Sequence, residues 1–474
     1  MNIRSPVRGA LLAAAFAVAA GVQAATTVVI VNHNEPGVGF NDPTPADPVG
    51  GNTGTTLGAQ RLIAFQHAAN IWGATVTSAV PIRIAATFEP LPCDADGAVL
   101  GAAGTTEIFT DFPNAPRAAT WYPGALASKL AGQDVATPGQ DHIQARFNSR
   151  LGLFPDCLPG VPFYLGLDNQ HGDQIDLVAV LLHEIAHGLG FQSFTDEETG
   201  EQFEGHPSIW DYFLVDSRTS KPWTAMTNEE RRQSVVSGNY LAWNGARVKT
   251  DVPKVLLPAP NVDISGPAAG AATGDYEAGD ASFGPPLGAT AVAGELMPVV
   301  DQPDGRGLAC DPLSEQNALA VRGNVALVDR GTCAFTVKAR NVQDAGARAM
   351  VVADHTPGPV QSLGGSDDTI TIPSVRIGYD AGVALKQVLK RRARTKSGVV
   401  AGLGVDPQRL SGTDPARRIR MYSPVEYAPG SSVSHYTVDA RPNQLMEPAV
   451  NQDLAHDVQA PRDLTYPLLQ DIGW

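Results

Sequence analysis

The sequence predicts a mixed α+β protein that contains a second, compact α/β domain. Two observations lead to this prediction. The chain has 48 glycines and 37 prolines among 474 residues, which favours short strands and helices joined by many loops over a helical bundle. Around Lys254 the composition changes to Pro, Gly and Ala, and a regular strand–helix–strand–helix order follows. The length is sufficient for two or three domains.

The first 24 residues have the pattern of a secretory signal peptide. Arg4 and Arg8 precede the apolar segment 10–22, and Val22-Gln23-Ala24 supplies small residues at a cleavage site. The apolar segment is too short to span a bilayer comfortably. We therefore predict an exported protein, either periplasmic or secreted to the extracellular space. Loss of the two arginines takes the formal net charge from −15 to −17, and this acidity argues against nucleic acids and membranes as partners.

The first half of the mature chain carries predicted strands and helices with clear local signals. β-branched and apolar runs predict strands, and apolar residues at helical spacing predict helices. One helix should begin at a cap formed by Asp173 or Asp176 and end near Gly188 and Gly190. The other predicted elements are strands at 26–31 and 81–88 and helices at 57–72 and 227–237.

The second half contains the compact α/β pattern. Its predicted elements are strands at 324–328, 349–353 and 370–377 and helices at 335–345 and 378–392. Together they indicate a domain of about 130–150 residues, which is a usual domain size. Segment 402–418 is predicted to be a linker, and 464–471 a short helix near the C-terminus.

The chain has four cysteines, which is an even number in a protein that we expect to be exported. Disulfides are therefore predicted, with three possible connectivities. Because a domain boundary separates the cysteines into two groups, we favour the pairs Cys93–Cys157 and Cys310–Cys333. None of the cysteines has the CxxC spacing of a zinc knuckle.

The segment LLHEIAHGLGFQS, residues 181–193, has the spacing of a metal site. His183 and His187 stand four residues apart on one face of the predicted helix, so both rings can reach one ion. Glu184 beside them can act as a general base on a water molecule. A surface helix with two solvated histidines explains the pattern poorly, because the preceding segment 177–182 is apolar throughout. We predict that this helix binds one catalytic zinc ion.

Catalytic zinc sites have three protein ligands, and this segment supplies two. Gly190 matches the glycine of the HExxHxxGxxH pattern, where the helix breaks and the chain turns back towards the metal. Ser193 stands where that pattern has its third histidine, and serine is a poor zinc ligand. The candidates for a third ligand elsewhere are His206, His435, His456 and the carboxylate of Glu204.

A downstream segment resembles the end of a known zinc site. GSSVSHY at Gly430–Tyr436 is followed by LMEP at Leu445–Pro448, and this pair of motifs resembles the metzincin zinc peptidases, most closely their leishmanolysin-like branch. The resemblance implies that His435 is the third ligand and that Met446 forms the Met-turn beneath the metal. It also implies that Gly190 is the helix-breaking glycine. Two departures are a tyrosine where that branch has tryptophan and the 247 residues between His187 and His435.

Much of this insertion resembles a protease-associated (PA) domain. The motif GNVALVDRGTCAF at Gly323–Phe335, Cys310 upstream of it and IPSV at Ile372–Val375 carry the resemblance. It implies a lid or binding module without catalytic residues of its own.

The two resemblances together imply that a metzincin-like zinc peptidase domain is split by an inserted α/β PA domain. The expected divisions are a signal peptide at 1–24, a first peptidase segment at 25–253, the PA domain at 254–402, and a second peptidase segment at 403–474 that carries His435 and Met446.

The expected activity is that of an exported zinc endopeptidase acting on protein or peptide substrates, with Glu184 as the general base. Asp- and Asn-rich loops also allow for a calcium ion. Two alternatives stay open: an inactive binding protein that uses its PA domain, and a gluzincin-type peptidase with a carboxylate as the third ligand.

Overall fold

A four-stranded sheet and two long helices form the centre of the larger domain. They belong to a computed structural model that describes residues 25–358 and 360–474, so the predicted signal peptide lies outside the described residues. The helices are α1 (Leu57–Thr75), α2 (Gly124–Ala131), α3 (Leu177–Leu189), α4 (Asn228–Val235), α5 (Ala246–Val255), α6 (Glu315–Val321), α7 (Phe335–Asp344), α8 (Tyr379–Leu389) and α9 (Thr465–Ile472). Within the described residues, no helix is sufficiently long and apolar to cross a bilayer.

The strands fall into one open sheet, one closed barrel and three small sheets. They are β1 (Val28–Asn32), β2 (Ile82–Glu89), β3 (Gly101–Thr105), β4 (Ile108–Phe109), β5 (Tyr122–Pro123), β6 (Ile143–Asn148), β7 (Phe163–Tyr164), β8 (Ile175–Asp176), β9 (Leu214–Asp216), β10 (Lys221–Pro222), β11 (Leu241–Trp243), β12 (Pro258–Ser265), β13 (Gly274–Gly279), β14 (Val292–Pro298), β15 (Val325–Asp329), β16 (Ala349–Ala353), β17 (Ser374–Ile377) and β18 (Val400–Leu410).

The open sheet has the order β1-β2-β6-β3. Its first three strands are parallel, and β3 lies antiparallel to β6 at the edge. Along β2, buried and half-buried residues alternate, as expected for a strand whose two faces differ in burial. Helices α1 and α3 pack together, and the indole of Trp72 donates a hydrogen bond to the carbonyl of Leu182 at 3.1 Å. The sheet thereby places β3 beside α3.

Two segments distant in sequence share the core of the larger domain. Its buried residues come from Phe40–Leu256 and from Ile419–Trp474, and it contains no buried residue from the segment between these ranges. The intervening segment has two apolar clusters of its own. The described part of the chain therefore divides into a body made of two segments and a separate unit between them.

The intervening unit is a closed barrel with the strand order β12-β13-β17-β16-β15-β14-β18. Strands β14 to β17 run parallel to one another. In β15, Val325 and Leu327 belong to one apolar cluster, and Ala326 and Val328 belong to the other. Burial on both faces explains why this strand is a continuous apolar run rather than an alternating one.

Most predicted elements are present, with shifted ends, and one prediction is wrong. The segment 402–418, predicted to be a linker, instead contributes most of β18, which pairs with β12 and β14. Glycines made this segment look like a loop, but a Cβ on Gly404 would lie 3.3 Å from the Cβ of Ala291, so close packing favours glycine there. The barrel thus extends to residue 410, beyond the predicted domain end at 402.

Two further sequence predictions can be compared with the structure. The predicted strand 370–377 is shorter at its start, because β17 begins directly after Pro373, which has no N–H to donate. Both predicted disulfides are confirmed: Cys93 pairs with Cys157, and Cys310 pairs with Cys333.

Candidate metal centre

Helix α3 carries two of the predicted ligands and has well-defined ends. Asp176 caps its start by accepting hydrogen bonds from the backbone N–H groups of Val178 and Ala179 at 2.8 and 3.2 Å. The helix stops at Gly190, whose φ is +122°. A Cβ there would lie 2.9 Å from Pro123 Cγ and 3.0 Å from Ile472 Cδ1. The predicted cap and the predicted helix break are both confirmed, and glycine is required at the break by both backbone and packing.

The imidazoles of His183, His187 and His435 meet at one point. The three Nε2–Nε2 distances are 3.1 Å between His183 and His187 and 3.2 Å from each of them to His435. Among the described residues, this is the one cluster of three or more potential metal-ligating side chains. The structure therefore brings together the two histidines of α3 and the histidine that lies 248 positions further along the chain.

Backbone carbonyls fix the tautomer of all three rings. The Nδ1 atoms of His183, His187 and His435 contact the carbonyl oxygens of Leu445, Phe191 and Ser431 at 2.7, 2.8 and 2.8 Å, respectively. A carbonyl can only accept a hydrogen bond, so each Nδ1 carries the hydrogen. In a neutral imidazole the other nitrogen, Nε2, is then left with a lone pair.

The three rings fit a zinc ion. Three lone pairs at about 3 Å repel one another unless a cation lies between them, and tetrahedral zinc with Zn–N bonds of about 2.0–2.1 Å separates its nitrogen ligands by about 3.3 Å. Burial lowers the pKa of His183 to about 4 and of His187 to about 3, and it lowers the pKa of His435 well below its ordinary value. The rings are therefore neutral at pH 7, as metal ligands must be.

The segment around Met446 forms hydrogen bonds with His183 and with the residue after His435. Met446 is fully buried, and its carbonyl accepts a hydrogen bond from the N–H of Tyr436 at 2.7 Å. The neighbouring Leu445 provides the carbonyl that orients His183, and its own N–H donates to Asp463 at 2.8 Å. This turn therefore orients the ring of His183 and holds Tyr436, the residue that follows His435.

Glu184 is buried between α3 and the edge strand β3. Burial raises the pKa of its carboxyl to about 8, partly offset by a hydrogen bond from the backbone of Ala103. A cation at the three Nε2 atoms would lower this pKa again. A Cβ on Gly101 would lie 3.0 Å from Glu184 Cγ, so the strand can approach the carboxyl this closely because residue 101 is glycine. Sequence reasoning missed Gly101; a glycine within a short strand was the available signal.

A cleft of about 710 Å³ lies over these residues. Its lining includes residues 98–103, which contain part of β3, residues 429–431 and 434–435, and residues 447–450. Its titratable lining consists of Glu184, Glu197 and Glu447 besides the three histidines, and no lysine or arginine is among the described residues that line it. The titratable groups of the cleft other than the histidines are therefore all carboxyls.

The other candidate ligands lie outside the cluster. The hydroxyl of Ser193 donates to the buried carboxylate of Asp211 at 2.8 Å and so anchors the chain after α3. His456 contacts the carboxylate of Asp176 at 2.8 Å. Glu204 lies in a short 3-10 turn, and His206 is the C-terminal cap of that turn. Among the described residues no second cluster forms in the Asp- and Asn-rich loops, so a calcium ion stays an untested expectation.

Comparison with known proteins identifies one part of the chain. A family model for the PA domain matches residues 292–385, which lie within the barrel. The chain contains a PA domain. Signal peptide peptidase-like 4 of Oryza sativa subsp. japonica is 38% identical over 85 residues, which make up 17% of this chain and 15% of that protein. Vacuolar-sorting receptor 2 of Arabidopsis thaliana is 31% identical over 126 residues, which make up 24% of this chain and 20% of that protein.

These similarities place the PA domain and leave the body unassigned. The chain spans less than a quarter of the length of the curated relatives that it matches. Among solved structures, a zinc aminopeptidase from Bacillus subtilis aligns with a TM-score of 0.23 at 20% identity, covering 34% of this chain and 36% of that chain. An aminopeptidase from Aneurinibacillus sp. strain AM-1 aligns with a TM-score of 0.22 at 20% identity, covering 45% of this chain and 45% of that chain. TM-scores this low carry no argument about fold or activity.

Proposed function

We propose that the protein is an exported zinc endopeptidase of the metzincin class, similar to its leishmanolysin-like branch, with a PA domain inserted between the second and third metal ligands. The observation that carries the proposal is the convergence of three Nε2 lone pairs, from His183, His187 and His435, beside the buried carboxyl of Glu184. The core shared by Phe40–Leu256 and Ile419–Trp474 supports a peptidase domain made of two segments. The two disulfides suit an exported protein.

The proposed chemistry assigns each of these groups one role. A zinc ion held by the three histidines would supply a Lewis acid to the scissile carbonyl. Glu184 accepts a proton from the attacking water and passes it to the leaving amine, which requires a pKa near the working pH. Glu184 lines the cleft, so a substrate and a water molecule bound there can reach its carboxyl. Each ring keeps its Nδ1 hydrogen on a backbone carbonyl, and its Nε2 lone pair would be held by the metal, so the rings would take no part in proton transfer.

The edge strand β3 offers a way to bind a peptide backbone. It pairs with β6 on one side only, and its residues 101–103 line the cleft. An extended peptide can add to such an edge through main-chain hydrogen bonds. In this position the peptide would run past Glu184 and the three histidines, which is the arrangement that an endopeptidase requires.

A second candidate is a catalytically inactive binding protein in which the PA domain binds a partner and the metal is structural. The similarity to vacuolar-sorting receptors, which is confined to part of the chain, favours this alternative. Against it, a structural site has no need for a buried carboxyl beside an open cleft. A gluzincin-type site is less well supported, because Glu204 lies outside the histidine cluster.

The proposal is tested by measuring metal content and proteolysis together. The purified chain should contain about one zinc ion and cleave a casein-type substrate. Removal of the metal by a chelator should abolish cleavage, and added zinc should restore it. A chain with full zinc and no cleavage of any protein substrate would favour the inactive binding protein, and a chain without zinc would contradict both readings.

The carboxyl groups that line the cleft predict a preference for basic side chains near the scissile bond. Burial raises the pKa of both Glu197 and Glu447 to about 8, so a nearby positive charge is the interaction that would keep them ionised at neutral pH. Peptides with lysine should be cleaved with a higher kcat/KM than matched peptides with glutamate, by about 10-fold or more. The double variant Glu197→Gln/Glu447→Gln should lose this preference; an unchanged preference would contradict the assignment.

A further inference from the structure

Arg441 joins the PA barrel to the peptidase body. Its Nε and Nη2 atoms lie 3.0 and 3.2 Å from the two carboxylate oxygens of Asp280, at the end of β13. Nη2 also lies 3.2 Å from the hydroxyl of Ser362, which itself donates to Asp280 at 2.7 Å. The barrel therefore presents a preformed two-residue acceptor to the guanidinium, and the resulting paired contact has the geometry in which arginine binds a carboxylate most strongly.

The other side of the same guanidinium fixes its own loop. Nη1 donates to the carbonyls of Val438 and Ala440 at 3.1 and 2.6 Å and to the side chain of Asn443 at 2.8 Å. One planar group of Arg441 thus holds two backbone carbonyls that precede it and the side chain of Asn443 that follows it. Because the guanidinium is held by Asp280, the loop conformation depends on the barrel.

This loop begins and ends at the metal centre. It starts at His435, and it ends at the turn in which Leu445 orients His183 and Met446 accepts from the N–H of Tyr436. A shift of the middle of the loop would therefore move one metal-facing ring directly and another through its carbonyl partner. The Asp280–Arg441 contact and the histidine centre are therefore connected by one short segment of chain, residues 435–446.

We propose that the Asp280–Arg441 contact positions His435 and the Leu445 carbonyl, so that the docked PA barrel sets the affinity of the histidine centre for zinc. This inference rests on the proposed function only in requiring that the three histidines bind zinc. Arg441 and Asp280 are positioning residues, since neither touches the metal or the substrate. The barrel then helps to position the metal ligands, in addition to any ligand or partner that the barrel itself binds.

The test compares two barrel carboxylates that both contact the body. Asp280→Asn removes the charge that holds Arg441. The matched control is Glu277→Gln, within β13. It removes another ion pair between barrel and body, with Arg420 at 3.4 Å, and leaves the contacts of Arg441 in place. The zinc dissociation constant is measured by competition with a chelator, on the full chain and well below its unfolding temperature. We expect affinity to fall by about 10-fold in Asp280→Asn, at the low end of the range for loss of a group bonded directly to a metal ligand, because Asp280 acts through Arg441 and the loop; affinity should stay within about 2-fold in Glu277→Gln.

A double-mutant cycle tests the proposal even if the single variants lose stability. Arg441→Gln should weaken zinc binding by a similar factor, and the double variant Asp280→Asn/Arg441→Gln should be no worse than either single one. Equal effects of Asp280→Asn and Glu277→Gln, or additive effects within the cycle, would overturn the inference. A wild-type chain that binds zinc without cleaving protein would contradict the proposed activity and leave this comparison intact; one that binds no zinc contradicts both.

Discussion

Replacement of His435 by alanine is expected to abolish both zinc binding and proteolysis. Its Nε2 lies 3.2 Å from the Nε2 atoms of His183 and His187, so its loss leaves two nitrogen ligands, and no carboxylate of the described residues joins the cluster to replace it. The fall in zinc affinity should exceed the about 10–100-fold that follows from loss of an outer hydrogen-bond partner of a ligand. Metal analysis after dialysis measures it directly.

The matched control for this variant is His206→Ala. His206 was another candidate from the sequence, and it lies at the end of a 3-10 turn outside the histidine cluster. This control should keep about one zinc ion per chain and wild-type cleavage. If His435→Ala also kept its zinc, a ligand from elsewhere would be required, and the carboxylate-ligand alternative would be favoured.

Replacement of Glu184 by glutamine is expected to separate metal binding from catalysis. Glutamine has nearly the same shape, so the packing against Gly101 is retained, but it cannot accept the proton. We expect kcat to fall by about 10²–10⁴-fold, the usual contribution of a general base, with zinc content near one per chain. Steady-state kinetics on a peptide substrate and metal analysis of the same sample measure both quantities. Glu184→Ala should behave similarly, with some loss of stability.

Glu204→Gln is the control, because it removes a carboxyl outside the cluster and should leave both quantities unchanged. Continued cleavage by the Glu184→Gln variant would show that the general-base assignment is wrong. Loss of zinc from that variant would instead indicate that Glu184 supports the fold of the centre.

The parts of the site that sequence reasoning located have local signals. The apolar run of α3, the cap at Asp176 and the break at Gly190 all act within one helix, so spacing alone predicts them. The position of His435 has no such signal, because it lies 248 positions after His187. A motif resemblance indicated it, and the fold then placed its ring against the other two.

The parts that were missed depend on contacts between distant segments. Gly404 looked like a loop residue until β18 was seen to pack against Ala291, and Gly101 matters only because β3 meets Glu184. The role of Arg441 depends on Asp280, which belongs to another domain. No periodic pattern or fixed spacing in the sequence indicates any of these contacts. They become visible only when the fold brings the distant segments together.

The shared core of the body has a consequence for the order of events during synthesis. His187 is made well before His435, and at about 5–20 residues per second the interval lasts roughly 10–50 s. Throughout that time the apolar helix α3 lacks the packing that Ile419–Trp474 provides. The proposed centre then has only two of its three nitrogen ligands, so under the proposed function it is incomplete until His435, which follows the barrel, has been made.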